Sequence, residues 1–341
     1  MIEEVMPGIY RIEVPLPDET LKTVNSYLLK GKERDLLVDT GMNNKESRAV
    51  LLSALRELGS SPENIDIFIT HLHHDHFGLA MSLASNEATI YLNALDAEFL
   101  KDLHLPGKDL VYAKLNGFPA DEVQKAMWQR DEFLKNTPLE ELKKALQGSA
   151  GDDVPKNKRF HFLSDRDILN IGEYSFECLM TPGHSSGHLC LYEARHKILF
   201  SGDHILEDIT PAIFLWPGDK RNPLKEYLNS LDRVLELEVA AVLPGHRKVF
   251  QDYRKRISEI KEHHYYRKEE MASLLDANGK NAYQIASKAS WNIPLPWEEF
   301  PPHLKWMALA ETLAHLKYME ESEQVKSELQ DGDNVRLYYR S

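Results

Sequence analysis

The N-terminal part of the chain alternates short apolar runs with polar breaks, a pattern that predicts strands joined by turns. Ile9-Tyr10-Arg11-Ile12-Glu13-Val14 alternates, Val24 to Leu29 is largely apolar, and Asp35-Leu36-Leu37-Val38 is short and buried in character. From Asn44 to Leu58 the period changes. Val50, Leu51, Ala54, Leu55 and Leu58 follow helical spacing, and Gly59 supplies a stop. Ile65 to Ile69 and Ala88 to Leu92 return to strand character. The second half repeats the scheme with Tyr174 to Met180, His188 to Tyr192 and Lys197 to Phe200, then a helix from Pro223 to Leu237 and a strand from Ala240 to Leu243. The expected class is α/β, with two β-rich halves and helices outside them.

Between Asn93 and Phe160 strand signals are few. Val123 and Met127, and Leu139, Leu142 and Leu146, fall at helical spacings, and Gly148 to Lys158 is polar and turn-rich. Residues 93–160 therefore read as a helical insertion, a lid or a wall for a substrate pocket. From about residue 251 the character changes again. Tyr253 to Leu275 is a long helical pattern, and Gly279 to Ala286 starts a short helix. Trp306 to Tyr318 is a third, with Met307, Leu309, Ala310, Leu313 and Leu316 as its apolar side. Asp331-Gly332-Asp333 reads as a hairpin turn. Three helices plus a hairpin make a winged-helix shape, so the expected domains are 1–250 and 251–341. His263, His264, Tyr265, Tyr266 and Arg267 crowd one helix and read as a solvated or inter-domain face.

Charge narrows the function classes. A net charge of -13 disfavours broad electrostatic binding to nucleic acid or an anionic membrane. Residues 254–341 hold 13 Lys and Arg against 14 Asp and Glu, whereas a winged helix that reads DNA is normally basic. A packing or homodimerisation module is the expectation for that segment. Cys178 and Cys190 sit in apolar strand-like runs and read as buried free thiols. The N-terminus places acids where a signal peptide needs basic residues, and no apolar run reaches the ~18 residues of a membrane span. A cytoplasmic location is expected.

The chemistry concentrates in Thr70-His71-Leu72-His73-His74-Asp75-His76-Phe77-Gly78, where four histidines and a carboxylate fall within six positions after an apolar run. Crowded imidazoles repel when protonated and are costly to bury neutral without partners. A divalent cation removes both objections, since neutral ring nitrogens and carboxylates are its ordinary donors. Three further segments carry the same residue types after short strand-like runs: Thr181-Pro182-Gly183-His184-Ser185-Ser186-Gly187-His188, Ser201-Gly202-Asp203-His204 and Pro244-Gly245-His246. Each has Gly beside the polar group, which lets the backbone turn sharply.

In this order, HxHxDH, TPGHxxGH, GDH and PGH, with Val38-Asp39-Thr40-Gly41 before them, the motifs resemble those of the metallo-β-lactamase superfamily of metallohydrolases, over roughly residues 5 to 250. The resemblance implies an αββα sandwich whose ligand loops lie along one rim. The C-terminal segment resembles the winged-helix-like extension of one branch of that superfamily. The resemblance further implies that His71, His73 and His184 bind one divalent metal, that Asp75, His76 and His246 bind a second, and that Asp203 bridges them. Zinc is the default, and iron or manganese suit the same donors. A metal-bridging hydroxide would be the nucleophile, with Asp75 orienting it. Asp39 is expected to organise a ligand imidazole or the ligand loops. His188 and His204 flank motif positions and are candidates for hydrogen bonding to ligands, and His74 is expected to face solvent. The expected activity is hydrolysis of a small acyl compound: a thioester, ester or lactone. The alternatives are a phosphodiesterase or ribonuclease, and a metal-containing regulator or scaffold that uses its C-terminal module.

Overall fold

Seven strands lie side by side in sequence order in the first sheet: β1 (Ile2–Met6), β2 (Ile9–Pro15), β3 (Thr23–Leu29), β4 (Asp35–Val38), β5 (Ile65–Phe68), β6 (Thr89–Leu92) and β7 (Arg159–Phe162). The computed structural model describes residues 1–17, 21–103, 107–135, 142, 159–330 and 334–341. Pairing is antiparallel as far as β4 and parallel from β4 to β7. Parallel neighbours need crossovers, and the helices supply them. Helix α1 (Lys45–Glu57) joins β4 to β5, and α2 (His74–Phe77) with α3 (Ala80–Leu83) joins β5 to β6. The predicted start of α1 holds: Asn44 caps it by accepting from the Ser47 amide at 2.8 Å, and Leu51, Ala54 and Leu55 are buried.

The second sheet runs β8 (Ile168–Ile171), β9 (Tyr174–Met180), β10 (Leu189–Glu193), β11 (Ile198–Gly202), β12 (Ala241–Pro244). Its one parallel pair, β11 with β12, is bridged by a helix, Pro223–Leu235. Ile9, Tyr27, Leu29, Leu36, Val38 and Phe68 of the first sheet pack with Phe176, Cys178, Leu191, Ile198, Phe200 and Leu243 of the second. Tyr27 meets Phe200 edge-on at 5.1 Å between ring centres and donates to the Pro244 carbonyl at 2.9 Å. The expected sandwich is therefore the fold of this part of the chain. Cys178 and Cys190 are buried free thiols, pushed up to about 12 by burial. Strands β1, β7 and β8 escaped the sequence reading. All three lie at sheet edges, where one exposed face dilutes the apolar signal: Glu3 and Glu4 in β1 and Ile168 in β8 are exposed.

The described residues fall into two compact units, one from 1–101, 136–211 and 230–257, the other from 102–135, 212–229 and 258–341. Within the insertion the chain forms α4 (Ala94–Leu103), α5 (Lys108–Asn116) and α6 (Ala120–Lys135). The Pro223–Leu235 helix is α7, followed by α8 (Tyr253–Ser273), α9 (Ala282–Ala286) and α10 (Pro302–Glu321). Tyr112, Phe118, Val123 and Met127 from the insertion share an apolar core with Met271, Ile285, Trp306, Leu309 and Leu313. The Trp306 ring lies 5.1 Å from Tyr112 and 5.0 Å from Phe118. A hairpin of β13 (Val325–Leu329) and β14 (Arg336–Arg340) completes this unit. The predicted turn at Asp331-Gly332-Asp333, the Gly148 to Lys158 segment, and Leu139 and Leu146 lie outside the described residues. Among the described residues no helix is long and apolar enough to cross a membrane.

Helix α10 differs from its sequence reading. Met307 is 39% exposed, while Lys305, Thr312 and His315 are buried. The helix is central to its unit, so polar side chains go inside: Lys305 meets Glu122 at 3.0 Å and His315 meets His264 at 3.2 Å, while the Thr312 hydroxyl is buried with no hydrogen-bond partner among the described residues. The crowded segment of α8 also divides: Tyr265 and Tyr266 are exposed, but His264 is buried against His315. His315 Nδ1 donates to the Glu311 carbonyl at 2.9 Å, so its Nε2 accepts from His264 Nδ1 at 3.2 Å.

Burial pushes His315 down to about 4 and His264 well below the usual range. The unfolded chain takes up these two protons as the pH falls below about 6.5, and the folded chain does not. The contribution of these two rings is thus complete above that pH and drains as the pH falls towards 4, by at most about 1.4 kcal/mol per pH unit for each ring. Glu311, pushed up to about 7 by burial, acts in the opposite sense over the same window. Two rings outweigh one carboxyl. Melting curves of chelator-treated protein between pH 7 and 4.5 should show a falling Tm, with a shallower slope in His315→Gln. Equal slopes for the two proteins would refute this account.

Candidate metal centre

The site lies where strand ends of both sheets meet. At the end of β4 the backbone turns at Asp39, with a φ of 58°, and its amide donates to the Phe68 carbonyl at 2.9 Å. This aims the Asp39 carboxylate into the loop after β5. It accepts from the Thr70 amide at 2.9 Å, the Thr70 hydroxyl at 2.8 Å and His76 Nδ1 at 2.7 Å. The chain then bends at Thr70 and His71, is extended at His73 and coils into α2, which separates His71 and His73 from Asp75 and His76. His74 starts the helix and is exposed, as expected from its spacer position.

The second sheet supplies the rest. His184 follows β9, Asp203 follows β11 and His246 follows β12. Close approach requires glycine at two points. A Cβ on Gly245 would fall 2.6 Å from Asp203 Oδ1 and 2.7 Å from His76 Cε1. One on Gly202 would fall 2.7 Å from His188 Nε2. The PGH loop is tied to β3, where Asn25 Nδ2 donates to the Pro244 and Arg247 carbonyls at 2.9 and 2.8 Å.

All seven side chains that the resemblance implied as ligands converge. His73 Nδ1 lies 2.9 Å from His71 Nε2 and 3.0 Å from His184 Nε2. His246 Nε2 lies 3.3 Å from Asp75 Oδ2 and 3.5 Å from Asp203 Oδ2. His76 Nε2 lies 3.5 Å from Asp203 Oδ1 and 3.8 Å from Asp75 Oδ2. Among the described residues three sets of donor atoms are near enough to hold an ion: His71, His73, His184; His71, His76, Asp203; and Asp75, His76, His246.

The donor chemistry fits a cation. His76 and His246 spend their Nδ1 protons on Asp39 and on the Thr23 carbonyl, the latter at 2.8 Å. Their Nε2 atoms, with Asp203 Oδ1, are buried and have no hydrogen-bond partner. Such orphans are rare in folded proteins and call for an ion or a proton. In the protein alone a proton answers. Burial opposes charge on His76, but Asp203, Asp39 and Asp75 outweigh it and raise its pKa well above normal. His246 is raised to about 10 against burial, mainly by Asp203. Asp203 and Asp75 are held below the usual carboxylate range by these rings despite burial. Burial, with repulsion from neighbouring imidazoles, pushes His73 down to about 3 and His71 well down. The cluster thus offers neutral nitrogens on one side and an anionic pocket on the other, which suits a divalent metal.

Asp39, His188 and His204 sit behind these atoms. His188 is buried, shares a 2.8 Å contact between Nδ1 and the Thr181 hydroxyl, and accepts from the Asp203 amide through Nε2 at 3.1 Å. Burial lowers His204 to about 3, and its ring stacks obliquely 6.1 Å from His188. Residues to which the sequence reading gave no role also hold the loops. Thr70 contacts His71 Nδ1 at 3.0 Å, and buried Asp96 accepts from the Leu72 amide at 3.1 Å and the Ser185 hydroxyl at 2.9 Å. Thr70 and Thr181 each stand at the head of a histidine segment, which was an available signal. Asp96 carries none.

The profile of the Metallo-beta-lactamase superfamily matches residues 20–246. Among curated relatives, the chicken (Gallus gallus) acyl-coenzyme A thioesterase MBLAC2 is 26% identical over 68% of this chain and 75% of its own length. The probable metallo-hydrolase YqjP of Bacillus subtilis (strain 168) is 24% identical over 94% of both chains. The crystal structure of the metallo-beta-lactamase family protein TTHA1429 from Thermus thermophilus is 30% identical, with a TM-score of 0.75, covering 99% of this chain and 100% of that one.

Proposed function

This chain belongs to the metallo-β-lactamase superfamily and is a metal-dependent hydrolase; within that class we propose that it cleaves small acyl thioesters. The observation that carries the proposal is the convergence of three donor groups linked through His71 and His76, with Asp203 in the group between the other two. We assign His71, His73 and His184 to one divalent ion and Asp75, His76 and His246 to a second, with Asp203 between them and zinc as the default. Bound ions would supply an acidified water and an electrophile for the carbonyl oxygen.

The protein's own groups do the rest. Asp75 is placed to orient water and to take its proton. Asp39 holds His76, and His188 holds the Asp203 backbone, so donor positions are set before substrate arrives. In hydrolysis the water oxygen bonds to the acyl carbon, the carbon–sulfur bond breaks, and the thiolate leaves. A thiol with a pKa near ~8.5 departs without a proton from the enzyme. That suits a site whose carboxylates Asp75 and Asp203 are both kept ionised and so hold no proton to give a leaving group. The acyl-coenzyme A thioesterase activity named for the vertebrate relatives supports the same class. A pair of buried, inert thiols leaves the cysteines no part in the chemistry.

Purified protein should be assayed on short- and long-chain acyl-coenzyme A thioesters, p-nitrophenyl esters, lactones, bis(p-nitrophenyl) phosphate and RNA. Thioester turnover should exceed that on the other classes by about 100-fold or more in kcat/KM, vanish on chelation and return with a dication. Cleavage of RNA or the phosphodiester with no thioester turnover would overturn the proposal.

A further inference from the structure

We propose that Asp96 is a positioning residue that clamps the His184 loop to the His71–His73 loop and so shapes the three-histidine ion site. The inference rests on the metal reading above and adds to it a residue outside every ligand motif. Asp96 lies in the first turn of α4, just after β6, and is 4% exposed. One carboxylate gathers three donors. Oδ2 accepts from the Leu72 amide at 3.1 Å and the Ser185 hydroxyl at 2.9 Å, and Oδ1 accepts from the Gly187 amide. Leu72 stands between His71 and His73, and Ser185 directly follows His184. The two loops come from different sheets, so no strand pairing within either sheet sets their separation.

The clamp is itself held. Asn93 accepts from the Leu95 amide at 2.9 Å and donates to the Leu163 carbonyl at 2.8 Å, which fixes the turn from β6 into α4. Gly187 packs so closely that a Cβ there would lie 2.8 Å from the Asp96 amide nitrogen and 3.0 Å from Asp96 Oδ1. The loop therefore packs directly against Asp96, with no room for a side chain at residue 187. What this sets is the 3.0 Å approach of His184 Nε2 to His73 Nδ1, the gap an ion must span. Asp203, Asp75 and His246 receive nothing from Asp96, so its effect should fall on one ion and not the other.

The test compares wild type, Asp96→Asn, Ser185→Ala and His184→Ala by titration with Co²⁺ against a competing chelator, with visible spectra and with melting of the metal-free proteins. Asparagine keeps the shape but presents an amide donor to one of the three donors. Asp96→Asn should weaken the same ion equivalent that His184→Ala removes, by about 10–100-fold, and leave the other nearly unchanged. Ser185→Ala, which deletes one hydrogen bond and no charge, should weaken that equivalent less and keeps the test open if Asp96→Asn folds poorly. A lower Tm with both Co²⁺ affinities at wild-type strength in both variants would overturn the proposal, as would equal weakening of both equivalents. Wild-type protein that takes up no dication would instead sink the metal reading on which this one stands.

Discussion

Asp203→Asn should lose bound metal at both positions together and lower thioester turnover on the order of 10³-fold or more. Asp203 is the carboxylate common to both sides of the cluster. One oxygen lies 3.5 Å from His76 Nε2, and the other lies 3.5 Å from His246 Nε2 and 3.7 Å from His184 Nε2. Asparagine fits the same space but removes a negative charge and turns one oxygen into a donor. That donor would face a ring nitrogen or repel a cation, whichever way the amide is turned. The fold should survive, since His188 grips the backbone amide of residue 203 and not its side chain. Elemental analysis beside kcat is the measurement. A variant that keeps full metal content and turnover within tenfold of wild type would remove the bridging role.

Asp75→Asn should separate binding from chemistry. Asp75 is close to only one side of the site, 3.3 Å from His246 and 3.8 Å from His76. It belongs to one donor group, whereas His71 and His76 each belong to two. The expected outcome is retention of the ion held by His71, His73 and His184, weaker binding of the other, and a fall in turnover of about 10²–10⁴-fold, the range for loss of a positioned base. Because hydroxide from solvent can replace that base, the variant's rate should keep rising with pH where the wild-type rate has levelled. A fall in turnover with an unchanged pH profile would mean that Asp75 only holds metal. A variant as active as wild type would exclude it from the site.

These two substitutions rest on residues that were legible in the chain because a metal site needs particular atoms. Few side chains carry a neutral nitrogen or a carboxylate oxygen, and crowding them after apolar runs has no packing rationale. The segments around them stood out for that reason, and the resemblance to the superfamily's motifs picked His71, His73, Asp75, His76, His184, Asp203 and His246 from neighbours such as His74, His188 and His204; their strands were visible through period-two alternation or short apolar runs. Edge strands β1, β7 and β8 were not, because solvent on one face relaxes the demand for apolar residues. Helix α10 was seen but its apolar face was misassigned at Met307, since burial on several sides leaves no single stripe to find.

Residue type and order alone thus determined the family of folds, the donors and the charge of the molecule, all of which are properties that each residue or short segment carries with it. Tertiary structure decided the rest. It alone brings Asp39 to His76, His188 to the Asp203 amide and Asp96 to two loops at once. It alone gives the insertion's Tyr112 and Phe118 a common core with Trp306. The partners in these contacts are backbone amides, single hydroxyls and apolar rings, which occur everywhere in a chain. Only their separation in space, fixed by how the sheets and helices pack, marks the few that matter.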